Sequence, residues 1–195
     1  MSSSTTRCKW CNPKNPVYIK YHDTQWGILR LDDAYLFEML LLESFQAGLS
    51  WECVLNKREN FRQAFDGFDP IAIAQYSSDK VDSLLQDKGI IRNRRKILAA
   101  IQNAQVFLQI QEEFGSFHQY LLQFWDGQAI YDCRSTCSPL SDQISADLTK
   151  QGMRFVGTTI LHAFLQAIGI INAHEDSCFL CPIPVKCKAE TPQIP

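Results

Sequence analysis

Apolar residues recur at helical spacing along most of the chain, and the breaks between runs coincide with capping residues. Leu36, Phe37, Met39, Leu40, Leu41, Leu42 and Phe45 form one run. Asp32 or Asp33 stands where a helix N-cap is expected, and Gly48 where the helix should stop. Ser50 caps a second segment in which Trp51, Val54, Leu55, Arg58, Phe61 and Phe65 keep the spacing of one helix. Asp69-Pro70 sets a proline at a first helical position. Ser77 or Ser78 opens a short helix through Leu84 and Leu85, closed near Gly89. Asn93 opens a long one carrying Ile97, Leu98, Ile101, Ala104, Phe107 and Leu108 and ending at Gly115. Ser116 to Phe124 reads as another short helix. Trp125 to Ser141 carries weak signals and reads as loop. A helix from Ser141 or Ser145 ends near Gln151-Gly152, and a turn through Gly157 leads to an apolar helix over Thr158 to Ile168. The pattern predicts an all-α chain.

Composition narrows this picture. A length of 195 residues suits one domain, here expected over residues 1–187 as two helical lobes, with a disordered tail over 188–195. A net charge of −2 argues against an overall electrostatic grip on nucleic acid but allows a local basic patch. Arg92, Arg94, Arg95 and Lys96, after the turn Lys88-Gly89-Ile90-Ile91, are the best such cluster; a solvated helix face would look the same. No apolar run approaches the ~18 residues of a membrane span. Met1 to Arg7 is Ser/Thr-rich and lacks a signal core, so a cytoplasmic protein without membrane contact is expected.

Eight cysteines is many for such a chain, and five gather at its ends: Cys8 and Cys11 at one, Cys178, Cys181 and Cys187 at the other, with Cys53, Cys133 and Cys137 between. End-clustered thiols with nearby histidines favour metal over disulfides. Cys8, His22, His174 and Cys178 would offer zinc two thiolates and two imidazoles, with His174-x3-Cys178 as a half-site. Cys8-x2-Cys11 with Cys178-x2-Cys181 is a rival set of two short knuckles. On spacing alone both stand, as does the reading of separate surface residues.

Three further features carry chemistry. Glu38 and Glu43 are carboxylates in a run of apolar residues, and burying an unpaired carboxylate is costly. Glu43 lies one turn nearer the Gly48-Leu49-Ser50-Trp51 break. Trp10, Tyr18, Tyr21, Trp26 and Trp51 crowd the first quarter of the chain, as core or as stacking faces for a base. Gly152 and Gly157 bracket a tight turn whose following helix, opening with Thr158-Thr159, can turn backbone N–H groups toward a phosphate. An ordinary helix–helix turn shares that pattern.

At this point the residues carry a resemblance over Arg7 to about Cys181. Arg7-Cys8-x-Trp10, Tyr18-x-x-Tyr21-His22-Asp23, Trp26-Gly27, Leu36-Phe37-Glu38, Glu43-x-x-Gln46-Ala47-Gly48-Leu49-Ser50-Trp51 and Lys57-Arg58-Glu59-Asn60 resemble the first half of the 3-methyladenine-DNA glycosylase I family. Gly89-Ile90-Ile91-Arg92, Arg154-Phe155-Val156-Gly157-Thr158-Thr159, Gln166-Ala167-x-Gly169 and His174-x3-Cys178 resemble its second half. The resemblance implies a helical fold of the helix–hairpin–helix glycosylase superfamily. It implies excision of 3-methyladenine from alkylated double-stranded DNA, with no obligate protein partner.

Carried over residue by residue, it implies a structural Zn2+ on Cys8, His22, His174 and Cys178. Glu43 and Tyr21 would bond the extruded base, Trp51 would stack on it, and Tyr18 and Trp10 would wall the pocket. Gly48 and Leu49 would plug the gap in the duplex, and Gly152, Gly157 and Thr158 belong to the DNA-anchoring hairpin. The chain departs from the family in reading Asn172-Ala173-His174 where Asn-Asp-His is common, and in one extra residue between Cys8 and His22. The wider superfamily places a catalytic Asp near the Asn172 region, which cannot ionise here; this puts more of the recognition on Glu43. No motif positions an imine-forming lysine, so a monofunctional hydrolase is expected. The rival class is a non-catalytic, zinc-containing DNA-binding module on the same scaffold.

Overall fold

The computed structural model describes residues 5–181, and the tail expected over 188–195 lies outside them. The first helix, α1 (Pro16–Thr24), has no apolar stripe to announce it. Asn15 starts it by accepting hydrogen bonds from the Val17 and Tyr18 amides, with proline at the first helical position. Only Tyr18, Tyr21 and His22 of α1 are buried. The central helix is α2 (Asp33–Gln46), capped by Asp32, in which every residue from Tyr35 to Phe45 is buried. A helix apolar on all sides belongs inside a protein, and α2 packs against α10, α7 and α3, whose ranges follow.

After Ser50 the chain forms two helices rather than the single one its periodicity suggests: α3 (Trp51–Leu55) and α4 (Arg58–Ala64). The Lys57 amide closes onto the Val54 carbonyl as a tight turn, and the break sends the Lys57 ammonium to the Lys88 and Gly89 carbonyls. A 3-10 turn at Asp66–Phe68 leads to α5 (Pro70–Ala74), capped by Asp69, and then α6 (Ser78–Gln86), capped by Ser77. The long helix α7 (Arg94–Phe114) begins at the Asn93 cap and ends at Gly115 in the left-handed region. Next comes α8 (Phe117–Leu121), tied to the start of α2 by Asp33, which accepts from the Phe117 and His118 amides.

The span read as loop holds two elements. A strand, β1 (Ile130–Tyr131), pairs in parallel with β2 (Ile171–Asn172), so the chain is mostly helical rather than all-α. Two residues are too few for alternation to show in sequence. Helix α9 (Pro139–Lys150) starts before Ser141, because Ser138 and Ser141 form a reciprocal capping box around Pro139. The turn over residues 151–157 then leads to α10 (Thr158–Ala167). Buried residues from Cys8 to Cys178 form one continuous apolar cluster. Among the described residues no helix is long and apolar enough to cross a membrane.

Gly169 locks the N-terminal segment against the end of α10. The Gly27 amide donates to the Gln166 carbonyl and the Arg30 amide to the Ile168 carbonyl. At Gly169 φ is +81°, and a Cβ would stand 2.3 Å from the Ile28 carbonyl carbon and the Leu29 nitrogen. Gly169→Ala therefore combines backbone strain with a clash that no rotamer relieves. We expect a loss of roughly 3 kcal/mol, a fall in Tm of about 6–12 °C; a wild-type melting curve would contradict this packing.

Candidate functional site

Four donors from distant parts of the chain meet beside α1. Cys8 precedes the helix, His22 lies on it, and His174 and Cys178 follow β2. The Cys8 thiol sulfur is 3.6 Å from His174 Nδ1, and Cys178 Sγ is 3.5 Å from both His22 Nε2 and His174 Nδ1. The four ligand atoms lie within 4.8 Å of one another and all four residues are buried. A tetrahedral zinc ion with ordinary bond lengths sets sulfur–nitrogen edges of about 3.5 Å, so the donors fit such an ion. Behind them, His22 Nδ1 is 2.7 Å from Asp23, and Arg7 grips the same carboxylate with two nitrogens. This is the outer support that orients a ligating imidazole. Burial pushes the Cys8 thiol up to about 12 and His174 down to about 4. A neutral imidazole is thus ready to ligate, and a thiolate there needs a cation.

The rival knuckle set does not converge. Among the described residues Cys11 and Cys181 lie outside the four-donor cluster. Their spacing reflects two matching turns, in which the Cys11 amide donates to the Cys8 carbonyl and the Cys181 amide to the Cys178 carbonyl. The Ala173 side chain offers no polar atom, and Asn172 Oδ1 accepts from the His174 amide at 3.2 Å.

The two carboxylates of α2 separate cleanly. Glu38 is an ion-pair partner, accepting from Arg58 at 2.8 Å and Arg62 at 2.5 Å. Glu43 is 3% exposed and has no such partner for Oε2. Burial alone pushes its carboxyl up to about 8. Four buried side-chain polar atoms among the described residues lack a hydrogen-bond partner, and three belong to one neighbourhood: Glu43 Oε2, Tyr21 Oη and Trp51 Nε1. The Tyr21 and Trp51 rings lie 5.4 Å apart at 52°. Burial, reinforced by the Glu43 charge, holds the Tyr21 hydroxyl well above its usual range. Tyr18 also feels Glu43, although burial is the main reason its hydroxyl is raised to about 12. Trp10 stands further off, packed on Tyr18, His22 and Trp26, and so belongs to the wall between the Cys/His cluster and the tyrosines. One acceptor and two donors, all buried and without a protein partner, can bond a flat polar molecule held against aromatic faces.

Next to this set the chain presents Gly48 and Leu49. Gly48 takes φ +79° with open space where a Cβ would be, and Leu49 is 42% exposed. The second turn, over 151–157, holds Gly152 at φ +107° and Phe155 at +56°. Asn103 of α7 secures it by bonding both the amide and the carbonyl of Arg154. Gly157 is the N-cap of α10 without a side-chain cap bond. The Thr158 hydroxyl is engaged by Asp142 and Ser141, so Thr158 can serve a phosphate through its backbone only.

The basic patch is smaller than the sequence suggests. Arg94 pairs with Asp82, and Lys96 is not on a solvated face at all: it is buried, with its ammonium on the Phe45 and Ala47 carbonyls. Lys96 and Asn103 were legible only as polar residues seven apart among the apolar positions of α7.

A family model described as methyladenine glycosylase matches residues 10–181. The chain is 43% identical over 182 residues to DNA-3-methyladenine glycosylase 1 of Escherichia coli (strain K12), covering 90% of this chain and 97% of that protein. A crystal structure of 3-methyladenine DNA glycosylase I is similar with a TM-score of 0.87 at 45% identity, over 91% of this chain and 100% of that one. A 3-methyladenine DNA glycosylase I in complex with 3-methyladenine is similar with a TM-score of 0.81 at 35% identity, over 87% of this chain and 92% of that one. The chain belongs to the methyladenine glycosylase family.

Proposed function

We propose that this protein is a monofunctional DNA-3-methyladenine glycosylase, one helix–hairpin–helix glycosylase domain that extrudes the alkylated base from double-stranded DNA and hydrolyses its N-glycosidic bond. The observation that carries this reading is the trio of buried polar atoms without a protein partner on Glu43, Tyr21 and Trp51. Such atoms are costly to leave unmade in a folded protein and are satisfied when a base enters. Family membership and a relative solved with 3-methyladenine bound support the choice of base.

Methylation makes the base cationic in DNA, so it is already a good leaving group and needs little acid catalysis. The turn over residues 151–157 and the start of α10 hold the backbone without reading sequence. Leu49, set outward by Gly48, occupies the gap as the nucleotide rotates out, against an unstacking cost of a few kcal/mol. Trp51 stacks on the cation, an interaction of about 0.5–2 kcal/mol. Glu43, ionised once the cation arrives, accepts from the donor edge of the base, and the Tyr21 hydroxyl completes its hydrogen bonding. Water attacks the sugar carbon as the C–N bond breaks. Cys8, His22, His174 and Cys178 would hold zinc, which at four protein ligands has no open position and supplies structure rather than chemistry.

Chromatography of bases released from methylated DNA tests the reading. Release of 3-methyladenine is expected; DNA binding with no base released would favour the non-catalytic module. A second outcome follows from the lysines. Lys96 is committed to two carbonyls, and no motif positions another lysine as an imine-forming nucleophile, so borohydride is expected to trap no protein–DNA adduct. A trapped adduct would overturn the hydrolase reading.

A further inference from the structure

Lys96 is an anomaly the reading above does not use. It is one of the few buried charged residues, 6% exposed, and it forms no ion pair among the described residues. Its ammonium donates to the Phe45 carbonyl at 2.7 Å and to the Ala47 carbonyl at 2.6 Å. These are carbonyls at the C-terminal end of α2, the residues immediately before Gly48 and Leu49. A cation there satisfies orphaned carbonyls and opposes the negative end of the helix. The same ammonium lies 5.9 Å from the centre of the Phe155 ring, in the turn over residues 151–157. Seven residues further along α7, Asn103 clamps the backbone of Arg154 in that turn through both its amide and its carbonyl. Residues seven apart lie on one face of a helix, roughly 10 Å from each other. Lys96 and Asn103 indeed line one small cavity with Phe37, Leu41 and Phe45 of α2. One face of α7 therefore holds both the end of α2 and the second turn.

We propose that Lys96 is a positioning residue for base extrusion: it fixes the Gly48–Leu49 tip at a set place relative to the turn that grips the DNA backbone. The inference rests on the reading of Leu49 as the residue that enters the duplex. A tip free to shift by an ångström would still leave the base pocket formed, because Tyr21 and Trp51 are carried by α1 and α3. It would no longer enter the duplex at the step the turn presents. Lys96 thus serves extrusion rather than base recognition.

The experiment compares Lys96→Met with Leu49→Ala and the double variant. Two readouts are used: single-turnover excision from duplex DNA, and binding of free 3-methyladenine followed by tryptophan fluorescence. Lys96→Met is expected to slow duplex excision by about 10- to 100-fold while free-base binding stays within about twofold of wild type. Leu49→Ala should behave alike, and the double variant should be little worse than the weaker single variant, because both act on one tip. Lys96→Gln, which keeps a donor without the charge, is read by the same assays if Lys96→Met does not fold. Wild-type duplex excision in the Lys96 variant, equal loss of free-base binding, or additive losses in the double variant would each overturn the proposal. Leu49→Ala excising at the wild-type rate would overturn the wedge reading and this inference with it. An impaired Leu49→Ala beside an active Lys96→Met would overturn the inference alone.

Discussion

Glu43→Gln should lose most of its ability to excise 3-methyladenine and yet become the more stable protein at alkaline pH. The loss follows from replacing a charge-assisted acceptor with a neutral amide opposite a cationic base. Hydrogen bonds to charged groups contribute about 1.5–3 kcal/mol, which corresponds to a roughly 10- to 150-fold slower release. The gain follows from burial. The Glu43 carboxyl is raised to about 8 in the folded protein, above its ordinary value of 4.5. Between those values the folded state holds a proton that the unfolded state has lost, so stability falls as pH rises from about 5 and levels off above pH 8. Glutamine has nothing to titrate. The two proteins should therefore melt alike at pH 5, with the variant ahead by a few kcal/mol at pH 8.5. The same linkage acts on substrate. A base with a fixed positive charge binds the ionised carboxylate, so wild-type affinity should climb with pH up to about 8 and then flatten, while the variant stays level. Undiminished release of 3-methyladenine from methylated DNA by Glu43→Gln would remove Glu43 from the reaction. Parallel melting curves at both pH values would show that its carboxyl is not held protonated by burial.

The contrast between Glu43 and Glu38 shows what the pattern of residues can and cannot convey. Both occupy apolar surroundings in α2, and periodicity does not separate them. What separates them is α4, whose Arg58 and Arg62 reach Glu38 and leave Glu43 alone. That pairing is long-range and has no local signature. Helix starts are local, and they read well wherever a side chain caps its own backbone: Asp32, Asp69, Ser77 and Asn93 all do so. Asn15-Pro16 and Ser138-Pro139 use the same chemistry as Asp69-Pro70, but α1 lacks an apolar stripe and α9 sits behind a stretch of weak signals. Lys96 and Asn103 escaped for the opposite reason. A lysine beside three arginines reads as solvated surface, and only the carbonyl ends of α2, fifty residues away, give it a buried partner. The four Cys/His residues that could hold a metal were legible as types and as end-clustered positions. The choice among them depended on which turns carry their thiols inward, which spacing alone does not encode.

Cys178→Ser tests the other large contribution. The Cys/His cluster joins segments more than 150 residues apart, and beyond the Gly27 and Arg30 bonds to the end of α10 two further bonds tie them: the Phe179 amide donates to the Thr6 carbonyl, and the Lys9 amide to Glu175. Both bonds are near the surface and weak on their own. Structural zinc sites contribute folding free energy directly, about 10–16 kcal/mol of binding in small zinc domains. Here a continuous apolar core carries much of the fold, so removal of one thiolate should cost less, roughly 3–5 kcal/mol. The purified variant should hold well under one equivalent of zinc. A chelator should lower the Tm of the wild type toward that of the variant and leave the variant unmoved. Because His22 lies on α1 one residue after Tyr21, loosening the clamp should also loosen the tyrosine side of the pocket. Free-base binding should therefore weaken in step with metal loss, whereas Cys11→Ser should keep both zinc and binding. A full equivalent of zinc in Cys178→Ser, or zinc lost from Cys11→Ser, would move the ion to another donor set. Zinc lost with base binding intact would mean that α1 is held in place by its packing alone, through Tyr18 and Tyr21.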